Sequence, residues 1–531
     1  MCKLNRPSDI DEVSLAGRRA ARAGDWETAG RCAAQLLKLD QDSAEGHFLG
    51  GQTAKATGKF DVAEKSFRRA LLADRERYDA AVELAELYVR LQRNREAVAL
   101  LRSYAGKLGN SPLYQEMAAS ALSRMDLHEE ALPLYQQACN LQPEIERFRT
   151  GLAACNVYLG EIEAARRSYE QLLQRHPNHQ RFHYELARLR TATDPEHVAR
   201  MKDVLEKTAL PARQNIFLYY AIGKELEDLG EWDEAFEYYE RGGSAVKSVS
   251  PYHVDTDLEL IDAIIETCTA SWLEAGVHGR AGPVQASHSS PIFVVGLPRT
   301  GTTLTERIVS SHSLVGSVGE SFFLPQALRA VSGVRNNENL TPGIIRAAAG
   351  TAPGELSSRY IDAVGYKLGN EPKFVEKLPE NFLLIGFIAR SFREHAVIHL
   401  RRHPMDACFA MFKQSYFRYA YSLEDVGRYY VAYDRLMRHW RSLLGGRLIE
   451  VCYEDLVANP EQEIRQLLDR LGLPFEEACL SFETRCASTR TASAVQVREK
   501  IHARSVGRWR HFERQLAPLQ DFLLSEGIAA R

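Results

Sequence analysis

Small and apolar positions along the first half of the chain recur with a period of 34, at Ala29, Ala63, Ala97, Ala131 and Ala165. Five residues before each stands a turn-type position: Gly24, Gly58, Gln92, Asp126 and Gly160. A small residue at a fixed offset lets two helices approach closely, and the turn residue ends the first helix of each pair. Gly24-Asp25-Trp26, Gly58-Lys59-Phe60 and Gly230-Glu231-Trp232 share the spacing and predict an aromatic packed between the helices. Ala199 falls at the next interval, but Asp194-Pro195-Glu196-His197 beside it is poor in the pattern, and Ala235 comes two residues late. The pattern therefore predicts an interrupted repeat near 185–215 and a recovered one at 216–245.

Different periodicities follow. Val254 to Leu273 reads as a helical connector, and Glu274 to Ser290 is rich in Gly, Ala, Ser and His, a compositional boundary. Apolar runs at Ile292–Val295, Lys373–Glu376, Ala396–Leu400 and Leu448–Cys452 predict strands. Helical patterns lie at Leu304–Val309, Asn381–Phe392, Pro404–Gln414 and Leu423–Leu444. Such alternation implies a parallel sheet covered on both faces, with its site at the strand C-terminal ends. The expected organisation is a polar tail at 1–10, a helical repeat array at 11–245, a connector at 246–287 and an α/β domain at 288–531.

The segment Gly296-Leu297-Pro298-Arg299-Thr300-Gly301-Thr302-Thr303 stands between the first strand and a helix. Strand, glycine-bounded loop and helix wrap backbone N–H groups around a phosphate. An ATP loop carries a lysine where this chain has Thr302, and Arg401-Arg402 follow the strand where a magnesium-holding acid might stand. Arginines and hydroxyls without an obvious metal acid suit a nucleotide with one 5′-phosphoryl group and a second phosphate elsewhere, a description of 3′-phosphoadenosine-5′-phosphosulfate (PAPS).

Two resemblances follow. Residues 11–245 resemble the tetratricopeptide repeat family, whose stacked helix pairs form a solenoid with a concave face often used to hold peptides. Residues 288–512 resemble nucleotide-dependent sulfotransferases, the tyrosylprotein sulfotransferases and their repeat-fused bacterial cousins in particular. The matching segments are Phe293–Leu304, Gly319-Glu320, Glu376-Lys377-Leu378-Pro379-Glu380-Asn381 and Arg402-His403-Pro404-Met405-Asp406. Tyr453-Glu454-Asp455-Leu456, Gln496-Val497-Arg498 and Gly507-Arg508-Trp509 complete the series. The resemblance implies a P-loop-type α/β sulfotransferase fold. Pro298, Arg299, Thr300, Gly301, Thr302 and Thr303 would cradle the 5′-phosphosulfate, with Arg299 also near the sulfuryl group. It makes Glu320 the general base, and Lys377 and Ser493 the groups that steady the leaving oxygen. Arg402 would clamp the 3′-phosphate, Arg508 would meet the phosphosulfate and Tyr453 would lie near the nucleotide. Where the family has a serine eight residues after that arginine this chain has Ala410, and Gln414 stands where a second arginine can sit; Lys413 is a substitute.

Several of these residues also have plainer readings. Glu320 could cap a helix beginning near Ser321, and Lys377 could be a surface lysine. Arg401 would face solvent, and the basic stretch Arg485–Arg514 is a solvated face, a cover over the nucleotide or an attractor of an acidic acceptor peptide. His312 reads as a hydrogen-bonded helix-end residue, and His399 and His403 lack metal spacing.

Composition narrows the partners. A formal charge of −3, with 45% hydrophobic and 26% charged residues, gives no electrostatic case for nucleic acid or a membrane surface. Nine dispersed cysteines without zinc spacing read as reduced thiols. The polar start and the lack of a membrane-length apolar run predict a cytoplasmic protein. The sequence thus predicts a metal-independent, PAPS-dependent sulfotransferase acting on tyrosine of a protein or peptide held by the array. A glycan, lipid or small phenol is the alternative acceptor. The array could instead be a scaffold or a self-association surface. Outside sulfotransferases stand a magnesium-dependent kinase or hydrolase, and an adaptor with a degenerate nucleotide domain.

Overall fold

A computed structural model describes residues 7–278, 290–334, 339–484 and 500–530. Ser493, with Gln496, Val497 and Arg498, lies outside them. The chain divides into two compact units, 1–156 and 157–531.

In the first unit antiparallel helices alternate, from Pro7–Ala23 and Trp26–Leu39 to Pro112–Arg124 and His128–Leu141. Each 34-residue turn position takes a left-handed backbone: φ is +75° at Gly24 and Gly58, +61° at Gln92 and +60° at Asp126. An L-residue adopts that conformation at a cost of about 1–2 kcal/mol, so the helix-pair packing must outweigh it at Gln92 and Asp126. The packing is visible in the small residues that follow: Ala29, Ala63, Ala97 and Ala131 are 0% exposed.

The second unit begins with the later repeats. Gly160 and Gly230 again have positive φ, and Ala165 and Ala235 are fully buried. The irregular repeat has its own explanation. Ala199 faces solvent on Glu196–Thr208, while His197 and Val198 point inward. His197 Nδ1 lies 2.8 Å from Glu225 Oε1 and its Nε2 lies 2.9 Å from His183 Nδ1. A buried polar chain thus replaces the small-residue contact, and burial holds the His183 imidazole down at about 4.

The sheet has strands β1 (Ser290–Gly296), β2 (Val315–Gly319), β3 (Lys373–Lys377), β4 (Ala396–Arg401) and β5 (Leu448–Cys452). Their order is β2-β3-β1-β4-β5, and every neighbouring pair is parallel. Alternate residues of β1 serve two cores: Ile292 and Val294 pack with Ile308, Val375 and Ile398 on one face, Phe293 and Val295 with Tyr360 and Phe392 on the other. This is the parallel sheet buried on both faces that the apolar runs predict. The sequence pattern passes over β2, because only Val315 and Val318 are apolar and its pairing shifts register between Ser317 and Gly319. The helix expected at Asn381–Phe392 is a 3-10 segment, Pro379–Leu384, followed by Ile385–Ser391. The Trp440 indole donates to the Phe382 carbonyl at 2.9 Å, holding that turn against the long helix Leu423–Leu444.

The connector is two helices, Val254–Thr267 and Ala270–His278, and Leu260, Ile261 and Ile264 enter the same core as Phe293. The last repeat pair, Ile216–Leu229 and Trp232–Lys247, enters it as well. Phe236 lies 5.6 Å from Phe412 and 6.2 Å from Phe512 between ring centroids. Trp232 stacks on His511 at 4.2 Å, so the aromatic after this glycine packs on the C-terminal segment, outside its own helix pair. Full burial of each such ring is worth about 1.5–3 kcal/mol. Among the described residues no helix is long and apolar enough to cross a membrane.

Candidate active site

All five strands end at one edge of the sheet, and each delivers a residue singled out in the sequence. After β1 comes the loop 297–301; after β2, Glu320; at the end of β3, Lys377; after β4, Arg402; and after β5, Tyr453.

The loop is shaped by close approaches. Gly296 has φ +149°, and a Cβ there would stand 2.7 Å from the Leu400 carbonyl oxygen of β4. Gly301 has φ +99°, and its Cβ would stand 2.6 Å from the Tyr453 ring. Arg299 is itself left-handed, at φ +66°. The Thr300 hydroxyl donates to the Leu297 carbonyl at 2.6 Å, closing the loop on itself. Thr302 then begins Thr302–Ser310, whose N-cap Gly301 provides no side-chain cap. The helix N-terminus presents backbone N–H groups and the positive end of its dipole toward the strand ends. Pro298, Thr300, Thr302 and Thr303 are all buried.

Arg402 ties this loop to the C-terminal segment. Its Nη1 donates to the Arg299 carbonyl at 2.7 Å, its Nη2 donates to the Ser505 carbonyl, and its guanidinium lies 4.9 Å from the Tyr453 ring centroid. The buried Nε has no hydrogen-bond partner among the described residues, an orphan donor that an anion would satisfy. Arg401 is exposed, as expected. Burial lowers the Arg299 guanidinium from its usual range, and the positive charges of Arg402 and Arg188 lower it further, against an opposing effect of Tyr416. Arg188 belongs to the repeat helix Gln180–Leu189, so the repeats contribute charge to this edge.

Glu320 and Lys377 form an ion pair. Lys377 is 2% exposed and Glu320 29%. The capping alternative for Glu320 fails: the next helix, Phe323–Ser332, starts three residues on with Phe322 at its N-cap and no side-chain cap. Lys377 is equally far from a surface lysine. Beside them burial raises the Glu376 carboxyl to about 7, although the Tyr360 hydroxyl and Asn381 amide both donate to it. Glu380 is also raised to about 7, by burial first and by the charge of Glu320 next.

Tyr416 escapes sequence reasoning, whereas Arg508, Lys413, His312 and His399 do not. The Tyr416 hydroxyl donates to Gln414 Oε1 at 3.0 Å; the residue is still 42% exposed, and partial desolvation shifts its phenol upward against the charges of Arg299 and Arg188. Arg508, expected at the phosphosulfate, donates to Glu227 Oε1 at 2.5 Å. Lys413 reaches both oxygens of the same carboxylate, at 2.7 and 3.0 Å. His312 is the hydrogen-bonded helix-end residue expected, with Nε2 2.8 Å from the Pro474 carbonyl. His399 lies between Glu450 (3.1 Å) and the Tyr433 hydroxyl (2.6 Å).

Comparison with known proteins fits this architecture. Residues 291–477 match the model of the sulfotransferase family, and residues 54–121 and 156–193 match tetratricopeptide repeat models. An uncharacterized protein of Aquifex aeolicus (strain VF5) is 29% identical over 427 residues, covering 78% of this chain and 55% of that protein. The chain thus spans about half the length of that relative. A Caenorhabditis briggsae protein named "Putative protein-tyrosine sulfotransferase" is 25% identical over 230 residues, 41% of this chain and 80% of that protein. Among solved structures, YrrB, described as a TPR protein with an unusual peptide-binding site, is 14% identical. It covers 39% of this chain and 96% of its own, with a TM-score of 0.29. The α/β part of the chain carries a domain of the sulfotransferase family, and the helices before it include tetratricopeptide repeats.

Proposed function

We propose that this protein moves a sulfuryl group from PAPS to an acceptor hydroxyl, with tyrosine of a protein or peptide as the acceptor. The observation that carries the reading is the shared edge. It sets a phosphate-type loop, a carboxylate–ammonium pair and an arginine with an orphan donor at the ends of neighbouring strands. The donor would supply a sulfuryl group already activated on a 5′-phosphate, with adenosine 3′,5′-bisphosphate as the product.

The chain's own residues supply the rest. Arg299 to Thr303, with the helix N-terminus behind them, bind the 5′ end. Arg402 and its orphan Nε suit the 3′-phosphate, where a planar guanidinium outperforms an ammonium. Glu320 takes the acceptor proton as the new oxygen–sulfur bond forms. Lys377 meets the charge on the phosphate oxygen whose bond to sulfur breaks. Positioning and cationic stabilisation of developing charge then account for catalysis. Ser493 and Tyr453 remain assigned by resemblance, to the leaving group and the nucleotide. The tyrosine acceptor is supported by the named relative and by the repeat helix Gln180–Leu189, whose Arg188 acts on Arg299 and whose Tyr184 hydroxyl lies 3.4 Å from Ser415 Oγ. The repeats also suit a protein acceptor.

Adenosine 3′,5′-bisphosphate should bind the wild type in the presence of a chelator, measured calorimetrically. Glu320→Gln should keep that affinity and lose about 10²–10⁴-fold in turnover, the range for a general base. Binding that requires magnesium would favour a kinase or hydrolase. Near wild-type turnover in Glu320→Gln would remove Glu320 from the base role.

A further inference from the structure

The Glu227 carboxylate gathers donors from three separate parts of the fold. It lies in the last turn of Ile216–Leu229, the first helix of the last repeat pair, and is 4% exposed. Its Oε1 accepts from Lys413 Nζ at 2.7 Å and Arg508 Nε at 2.5 Å. Its Oε2 accepts from Lys413 at 3.0 Å and from the Tyr239 hydroxyl at 2.7 Å. Those four contacts saturate a carboxylate.

The two cations are mounted on the elements that hold Arg402. Lys413 directly follows Pro404–Phe412, the helix that Arg402 leads into. Arg508 follows Gly507, and Asp406 of that helix accepts from the Gly507 N–H at 2.6 Å and the Trp509 N–H at 3.1 Å. Ser505, two residues before Gly507, accepts from Arg402 itself. The charge of Arg299 also reaches the Lys413 ammonium and lowers it, so the two cations lie within electrostatic range of one another.

We propose that Glu227 is a positioning residue of the donor site: from the last repeat it fixes Lys413 and Arg508 beside the phosphate loop, where they act on the anionic nucleotide. This rests on the donor reading above. Lys413 and Arg508 set two positive charges against the Glu227 carboxylate, with Asp228 also acting on Arg508, while Arg299 and Arg402 add two more beside the loop, an excess suited to a nucleotide with phosphates at both ends. Burial lowers the Lys413 ammonium, Arg508 and Arg299 lower it further, and Glu227 opposes them. Tyr239 and Asp228 also act on Arg508, and the Tyr239 hydroxyl is bonded to Glu227 as well. Without Glu227 the ammonium would lose its counter-charge and shed its proton at a lower pH. Nucleotide binding would then require proton uptake. The carboxylate therefore keeps Lys413 charged and aimed.

Calorimetric titration of adenosine 3′,5′-bisphosphate into the full chain, from about pH 7 to about pH 9, above the second ionisation of its phosphates at about 6, tests this. Wild-type affinity should change little across the range. Glu227→Gln should bind about tenfold more weakly at neutral pH, with affinity falling further as pH rises and up to about tenfold per unit. Glu227→Asp should restore most of the affinity and the flat profile. Tyr239→Phe, which keeps the charge and loses one hydrogen bond, should weaken binding about threefold with a flat profile. A Glu227→Gln protein that is folded at the titration temperature and binds as tightly as wild type at every pH overturns the proposal. If that variant fails to fold, Lys413→Met takes its place: about tenfold weaker binding supports the proposal, and unchanged affinity overturns it. A wild type that binds no bisphosphate at all overturns the donor reading, and this inference falls with it.

Discussion

At the end of β3 a lysine almost without solvent contact faces a glutamate that keeps roughly a third of its side chain in water. The asymmetry predicts unequal costs. Glu320→Ala leaves a buried ammonium unpaired, which costs about 3–5 kcal/mol, the range for breaking a buried pair. Lys377→Met leaves a carboxylate that water can still reach, so its cost should be nearer 1 kcal/mol, as for exposed pairs. Denaturant melts of the two variants check the order; equal losses would mean that the pair does not order the site as described. Turnover should nevertheless collapse in Lys377→Met, by about 10²–10³-fold, as when one transition-state donor is removed. Lys377 and Arg402 were legible in the sequence because residues that close apolar runs can be placed without knowing the tertiary fold, whereas Glu320 and Tyr453 came from the resemblance. Glu227 was not legible. In Leu226-Glu227-Asp228-Leu229-Gly230 it reads as a solvated acid at a helix end, and only packing against the C-terminal segment reveals its partners.

The phosphate loop is an element with almost no room for change. Gly301→Ala would force a Cβ into the Tyr453 ring and hold an L-residue at φ +99°. The strain should cost about 1–3 kcal/mol of stability and abolish bisphosphate binding, while leaving the rest of the sheet folded. Circular dichroism melts with calorimetry check both parts; a Gly301→Ala protein that binds normally would show that the loop is not the phosphate cradle. Loop and repeats were readable for the same reason, since local backbone demands fix residue types at fixed offsets. Gln92 and Asp126 show how far the repeat period carries: both adopt the left-handed turn without being glycine. The miss at β2 has the opposite cause. A short edge strand with two glycines and two valines has too little apolar pattern to distinguish it from a loop, and its partner β3 supplies the missing half.

Across the second unit, repeats and sheet share one core. A fragment of residues 157–531 should therefore melt cooperatively. One cut at residue 246, where the sequence pattern ends the repeat array, loses Phe236, Tyr239 and Glu227 and should aggregate or melt without a sharp transition; a cooperative melt of that shorter piece would contradict the shared core. Acid should act on the same junction. Burial would raise Glu227, yet Lys413 and Arg508 pull its carboxyl down to about 2 from an ordinary 4.5. A lowered acid contributes stability that is complete above its unfolded value and lost as pH falls through 4.5 toward 2, about 3 kcal/mol in all. Glu376 works the other way: raised to about 7, it withdraws stability as pH climbs from 4.5 to 7. Melts from acid to neutral pH should show both slopes, and Glu227→Gln should flatten only the acid limb.

The account stands most directly on transfer itself. Donor labelled in its sulfuryl group is incubated with a host-cell extract and either the wild type or Glu320→Gln, and the products are separated by class. The account predicts label in protein that is recovered as tyrosine O-sulfate with the wild type and reduced at least about 100-fold with Glu320→Gln. Label in a glycan or small-molecule fraction would keep the chemistry and move the acceptor. No wild-type label above the Glu320→Gln background in any fraction would contradict the account.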